Sequence, residues 1–150
     1  MGNAYLTRMP AGFPGDVSRK AESTLEAGLM AAEVAFGSPV KLDAAGKLAP
    51  LAAADDVVYG FIARPYPTQS QAAASGDIQD VLRRGYMTVK LARGTSAKGG
   101  HVYARHTAEA GKAVGDIEAA AVEGKTLAVA GCLFMGEADA GGNVEISFNL

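Results

Sequence analysis

The chain has one cysteine, Cys132, and no tryptophan among its 150 residues. A single thiol excludes an internal disulfide, so nothing in the cysteine usage points to an oxidising compartment. No stretch approaches ~18 uninterrupted apolar residues, which excludes a membrane-spanning helix. The opening "MGNAYLTRMPAGFPGD" lacks an apolar h-region, so no signal peptide is expected. Its Met-Gly start resembles a myristoylation signal, but Leu6 stands where Ser or Thr is needed. An excess of basic charge is also missing. The net charge is −2 and the pI about 5.6, which argues against a dedicated nucleic-acid binder. The absence of tryptophan counts against a sugar-stacking module, although tyrosine can take that role.

Reactive constellations are equally scarce. His101, His106 and Glu109 form the one cluster worth testing as a metal set, yet their spacing matches no ligand motif. On a continuous strand the two histidines point to opposite faces, and the plainer reading is two solvent-exposed imidazoles beside a turn. Cys132 sits in the most apolar segment and reads as an inert core thiol. "EGKT" ends like a phosphate-binding loop, but Ala119 occupies the position of the required upstream glycine. "GTSAKGG" joins two strands and opens no helix, so it reads as a turn. Asp55, Asp56, Asp77 and Asp80 read as solvated loop charges, since no calcium loop surrounds them.

What the chain does have is 49% hydrophobic and 20% charged residues, enough for one folded domain. Much of the apolar count is alanine, which implies a thin core and stability partly drawn from an assembly. Pro10, Gly12, Pro14 and Gly15 make residues 1–16 an extended arm, with residues 17–150 the single domain. Residues 17–35 admit two readings. Leu25, Leu29 and Ala32 fall at helical spacing behind a capping Asp16 or Ser18, whereas Gly28 favours a short strand around Ser23–Glu26.

The pattern then becomes period two. Val40 and Leu42 alternate with polar neighbours, and Asp43 to Gly46 supplies a turn. Pro50 marks an edge or strand end, and Gly60 inside "VVYGFIA" marks a close backbone approach. "RPYPTQSQAAASGD" reads as a long loop. Met87, Val89 and Leu91 share a face opposite Thr88 and Lys90. Val102 and Ala104 share another, and so do Val144, Ile146 and Phe148. "TLAVAGCLFM", apolar on both faces, reads as a central strand. The whole is mainly β, a β-sandwich or jelly-roll-like domain.

"GFPGD", "STLE" and "FGSPVKLDAAGKLAPLAAADDVVYGFIARPYPTQS" carry a specific likeness. Gly15-Asp16, Thr24-Leu25-Glu26, the Phe36–Leu51 hairpin and the Tyr59–Ser70 signature resemble the structural cement proteins that decorate tailed-phage capsids. One departure is the Ala-rich segment after Glu26, which looks more helical than the family's extended connection. The resemblance implies a β-sandwich on the outer shell, clustered as a dimer or trimer and bridging major capsid protein subunits. It implies no catalytic residue, cofactor, metal or membrane contact, and no direct nucleic-acid binding.

Three contact sets follow as expectations. Tyr5, Leu6, Met9 and Phe13 anchor the arm on a neighbour. Arg64, Tyr66 and Gln69 meet a neighbour from the proline-rich loop, whose plainer role is a self-contained, stiffened loop. Arg83, Arg84 and Arg93 favour an acidic surface, because residues 83–112 carry seven basic residues against one acid, Glu109. The rival readings are a minor tail, baseplate or vertex protein, a ligand-binding sandwich module, and a small metal-dependent β-barrel enzyme using His101, His106 and Glu109.

Overall fold

The computed structural model describes residues 11–150. Tyr5, Leu6 and Met9 lie outside them. Among the described residues eleven strands follow a single 3₁₀ turn at Lys20–Glu22: β1 (Thr24–Leu29), β2 (Val34–Ala35), β3 (Pro39–Leu42), β4 (Leu48–Pro50), β5 (Gly60–Ile62), β6 (Ala72–Ala73), β7 (Ile78–Arg93), β8 (His101–Arg105), β9 (Ile117–Glu118), β10 (Thr126–Phe134) and β11 (Asn143–Phe148). The mainly β, single-domain expectation holds. The helix over 17–35 does not form. Its leucines lie on β1, because β7 satisfies the β1 backbone through an antiparallel ladder from Leu25–Leu82 to Leu29–Ile78. Gly28, which weakened the helix reading, is required here: a Cβ would meet the Leu48 side chain at 2.7 Å. Tertiary pairing overrides local propensity.

β7 organises everything else. Its C-terminal half pairs with β11 and β9, and the ladders β9–β8, β8–β10 and β10–β11 close a circuit of five strands. Its N-terminal half pairs with β1 and β5, and β5 leads through β3 to β4. A single bridge from Leu48 to Met30, just past β1, closes this second circuit.

Alternate residues on the shared strands therefore serve two cores. Phe61 and Leu82 join the larger core with Met87, Val89, Ile146 and Phe148. Their neighbours Ile62 and Val81 join the smaller core with Met30, Val40 and Leu48. Strands buried on both faces read as continuous apolar runs, and Gly60 follows from the same crowding, since any side chain there would strike the Leu82 carbonyl.

The turn at Asp43 is as expected: Asp43 Oδ1 accepts from the Ala45 and Lys47 amides, and Gly46 has φ 76°. Pro50 lies on β4, the terminal strand of the sheet order. The proline-rich loop is not wholly irregular, because Ala72–Ala73 pairs with Val34–Ala35. Two face assignments change. Thr88 is buried, because Ala11 lies over it and accepts its hydroxyl hydrogen bond. β10 is buried on one face only: Leu127, Val129, Cys132 and Phe134 point inward, while Ala128, Ala130 and Leu133 are exposed. The fully apolar run came from alanines, whose exposure costs little.

Candidate functional site

The structure brings Phe13, the described member of the arm set, close to Arg64 of the loop set at the root of the arm. The Gly15 amide donates to the Thr88 carbonyl (2.9 Å) and the Arg64 amide to the Gly15 carbonyl (2.8 Å). Arg64 then clamps the crossing. Its Nε donates to the Pro14 carbonyl (3.0 Å), Nη1 to the Ser70 carbonyl (3.1 Å) and Nη2 to Gln71 Oε1 (3.2 Å). Its guanidinium lies 5.1 Å from the Phe36 ring and 6.0 Å from that of Phe13. The Tyr66 hydroxyl donates to Asp16 Oδ1, and that bond, ahead of burial, holds the phenol above its usual pKa. The other Asp16 oxygen accepts from the Phe13 amide, so Asp16 closes a turn and caps no helix.

Phe13 and Tyr66 are each 64% exposed above this clamp, and Gln69 is exposed beside them. The Arg64 guanidinium itself is spent on these acceptors. Two aromatic rings held over a rigid, charge-locked base can bury apolar area against a partner with little entropy loss.

The third set does not converge. Arg83 reaches the Tyr59 carbonyl, stacks on the Tyr59 ring (3.5 Å) and pairs with Glu26 (3.4 Å). Arg84 is exposed on the other face, and Arg93 is exposed nine residues further, roughly 30 Å of strand away. The basic run is not one surface, and Arg105 leaves it altogether. Counted in sequence as part of the basic run, Arg105 is fully buried and pairs with buried Glu118 at 2.6 Å. Glu109 also approaches it (3.3 Å).

The enzyme reading loses its geometry on the same side chains. Glu109 is held by Arg105, Lys112 and Lys125, and its bond from Lys125, first among these effects, keeps its carboxyl below the usual pKa. His106 is buried, with Nδ1 against the Thr107 hydroxyl, whereas His101 is exposed on β8. The expectation of two solvated histidines thus fails at His106. Among the described residues no three His, Cys, Asp or Glu side chains gather as a metal set. Burial alone pushes the Cys132 thiol far up, as for an inert core cysteine. Asp56, expected to be solvated, pairs with Lys41 (2.9 Å) and accepts from the Ala52 and Ala53 amides.

Sequence reasoning missed one feature outright. A groove of about 910 Å³ runs between β10 and the loop before β5, lined by Leu42, Val57, Tyr59, Ala128, Ala130 and Phe148 among others. Val57 is 81% exposed at its mouth.

A rigid β scaffold whose distinctive features are exposed aromatics, an anchored arm root and an apolar groove defines a structural interaction protein. The comparisons with known proteins agree. The family model for the XM1 gp53 minor capsid protein matches residues 2–148, and the chain belongs to that family of phage capsid proteins. A chain from "The capsid of Myoviridae Phage XM1" has the same fold, with a TM-score of 0.78 at 23% identity, covering 99% of this chain and 97% of that one. No curated protein matches. The family is a capsid one and lends no support to the tail or baseplate reading.

Proposed function

We propose that the protein cements the outer surface of an assembled phage head. It bridges major capsid protein subunits as a non-enzymatic dimer or trimer and stiffens the expanded shell. The observation that carries this reading is the locked arm root. Contacts of Arg64, Tyr66 and Thr88 hold Pro14, Gly15 and Asp16, the described end of the arm, against the domain. A tether that starts from a fixed point raises the effective concentration of whatever it carries. An extended segment also gains affinity from backbone hydrogen bonds.

In this reading Tyr5, Leu6 and Met9 engage a neighbour, and Phe13, Tyr66 and Gln69 form the rigid contact beside them. Arg84 and Arg93, the exposed members of the basic set, meet acidic shell residues at separate points. Arg64 and Arg83 hold the scaffold.

The test is the copy number per purified virion relative to the major shell protein, by quantitative mass spectrometry. Near-stoichiometric incorporation is expected, and a dozen copies or fewer would sink the proposal. Deleting residues 2–9, which spares the Ala11–Thr88 contact, should weaken binding to undecorated shells. Undiminished binding would remove the arm from the mechanism.

A further inference from the structure

The groove beside β10 has an open strand edge at its wall. The His106 amide donates to the Lys125 carbonyl (3.0 Å) and Leu127 lies opposite Ala104, so odd-numbered residues here turn their backbone groups toward β8. Antiparallel ladders alternate, so Ala128 and Ala130 turn theirs the other way. At Gly131 (φ 67°) the phase changes, and the Asn149 amide donates to the Gly131 carbonyl (2.9 Å). β11 pairs with β10 only at Cys132–Phe134. Among the described residues no strand covers Ala128 or Ala130 on that side. Both face the groove, and both are exposed.

An unpaired edge is a template for an added strand. Here the template lies in a slot with apolar walls, Leu42 and Val57 opposite alanines small enough to admit large side chains. The slot's charges are sorted as well. Lys41 is neutralised by Asp56 and Arg83 is engaged by Glu26, which leaves Asp43 and Asp55 as the rim carboxylates without an ion pair among the described residues.

The occupant this chemistry fits is an extended, apolar segment with a basic residue and no acid. Residues 1–10, "MGNAYLTRMP", have that composition: Tyr5, Leu6 and Met9 are apolar, Arg8 is the charge, and Asp and Glu are absent. Ten residues reach up to roughly 33 Å when extended. The arm root and the groove share no lining residue. An arm anchored at Ala11 of one copy is thereby available to the groove of the next.

We infer that residues 1–10 of one copy add a strand to β10 of a second copy, with Arg8 at the Asp43–Asp55 rim. This takes from the shell reading only the idea that the arm reaches a neighbour. The contact couples copies of this chain to one another, separately from their grip on the shell.

The experiment uses two full-length single-site variants without shells. Leu6→Cys, isotopically light, is mixed with Ala130→Cys, isotopically heavy, and oxidised. Mass spectrometry of the linked peptides should find light–heavy pairs. The double variant Leu6→Cys/Ala130→Cys, run dilute, serves as the comparison. Linkage confined to single chains of that variant would mean each arm fills its own groove, and the inference would fail. Absence of linkage in both experiments would overturn it too. If arm deletion then still lowered shell binding, the arm would belong to the shell protein and the proposed function would stand.

Charge reversal gives an independent readout. Arg8→Glu and Asp55→Lys should each weaken self-association about fivefold in sedimentation equilibrium, the scale of one rim ion pair, and the combined variant should recover it. Equal self-association in all four proteins would contradict the assigned rim.

Discussion

Arg64 and Arg105 look alike in the sequence, each a basic residue at the end of a β-patterned run, yet the structure uses them in opposite ways. Arg105 is fully buried, Glu118 pairs with it from 1% exposure, and Arg105 Nη2 and Glu118 Oε2 find no protein partner among the described residues. Arg64 lies half-buried near the surface and spends Nε, Nη1 and Nη2 on neutral acceptors from two chain segments besides its own. One is a charge pair in which burial makes each partner indispensable to the other, and the other is a mechanical clamp. What differs is not the residue but the dielectric around it and the number of segments it ties together.

The largest effect expected follows from the first. Arg105→Ala leaves Glu118 as an uncompensated buried carboxylate and should cost about 3–5 kcal/mol in urea unfolding. The paired substitution Arg105→Met/Glu118→Leu should recover most of that loss, because well-packed apolar residues replace buried pairs at little cost. If the pair change is as damaging as the single one, the site depends on its charges for more than mutual neutralisation.

Arg64→Ala sits at the next level, about 1–2 kcal/mol, for lost hydrogen bonds that solvent partly replaces. It should also free the arm root and lower shell binding more than its stability cost explains. Arg64→Lys should not rescue it, since a point charge cannot serve three acceptors in a fixed fork. Normal shell binding by a folded Arg64→Ala would separate the clamp from the contact. Tyr66→Phe removes only the bond to Asp16 and should cost ~1 kcal/mol or less.

These contrasts also show where the sequence was informative. The Phe36–Leu51 hairpin was legible because turn chemistry and period two agree there. So was the inward set Val144, Ile146 and Phe148. The family likeness rested on that hairpin together with Gly15-Asp16, Thr24-Leu25-Glu26 and the Tyr59–Ser70 signature. β1 was ambiguous because its leucines fit helical spacing and only β7, fifty residues on, decides between the readings. Arg105 was misread because its partner comes from β9, a two-residue strand with no pattern of its own. The groove was invisible for a different reason. It is defined by a pairing that stops, and side-chain alternation is the same whether or not a strand's edge is occupied. Of the predicted contacts, Phe13 and Tyr66 are linked only through Asp16, which accepts from the Phe13 amide and the Tyr66 hydroxyl.

Lys41–Asp56 lies between the two arginine cases, with side chains 24% and 13% exposed, and gives the smallest effect. Burial acts to raise the Asp56 pKa. Hydrogen bonds from Lys41 and from the Ala52 and Ala53 amides outweigh it, so the folded value is below the ordinary one. A carboxyl depressed on folding adds stability at pH above its unfolded pKa, near 3.8, and loses it as pH falls through the folded value. Wild-type stability should therefore fall below about pH 4 with a contribution from this site of less than ~1 kcal/mol. Asp56→Asn should flatten that part of the acid limb and leave the curve above pH 5 parallel to wild type. An unchanged acid limb in Asp56→Asn would mean that solvent screens this half-buried pair as fully as a surface one, and that only burial as deep as that of Arg105 gives a charge in this fold structural weight.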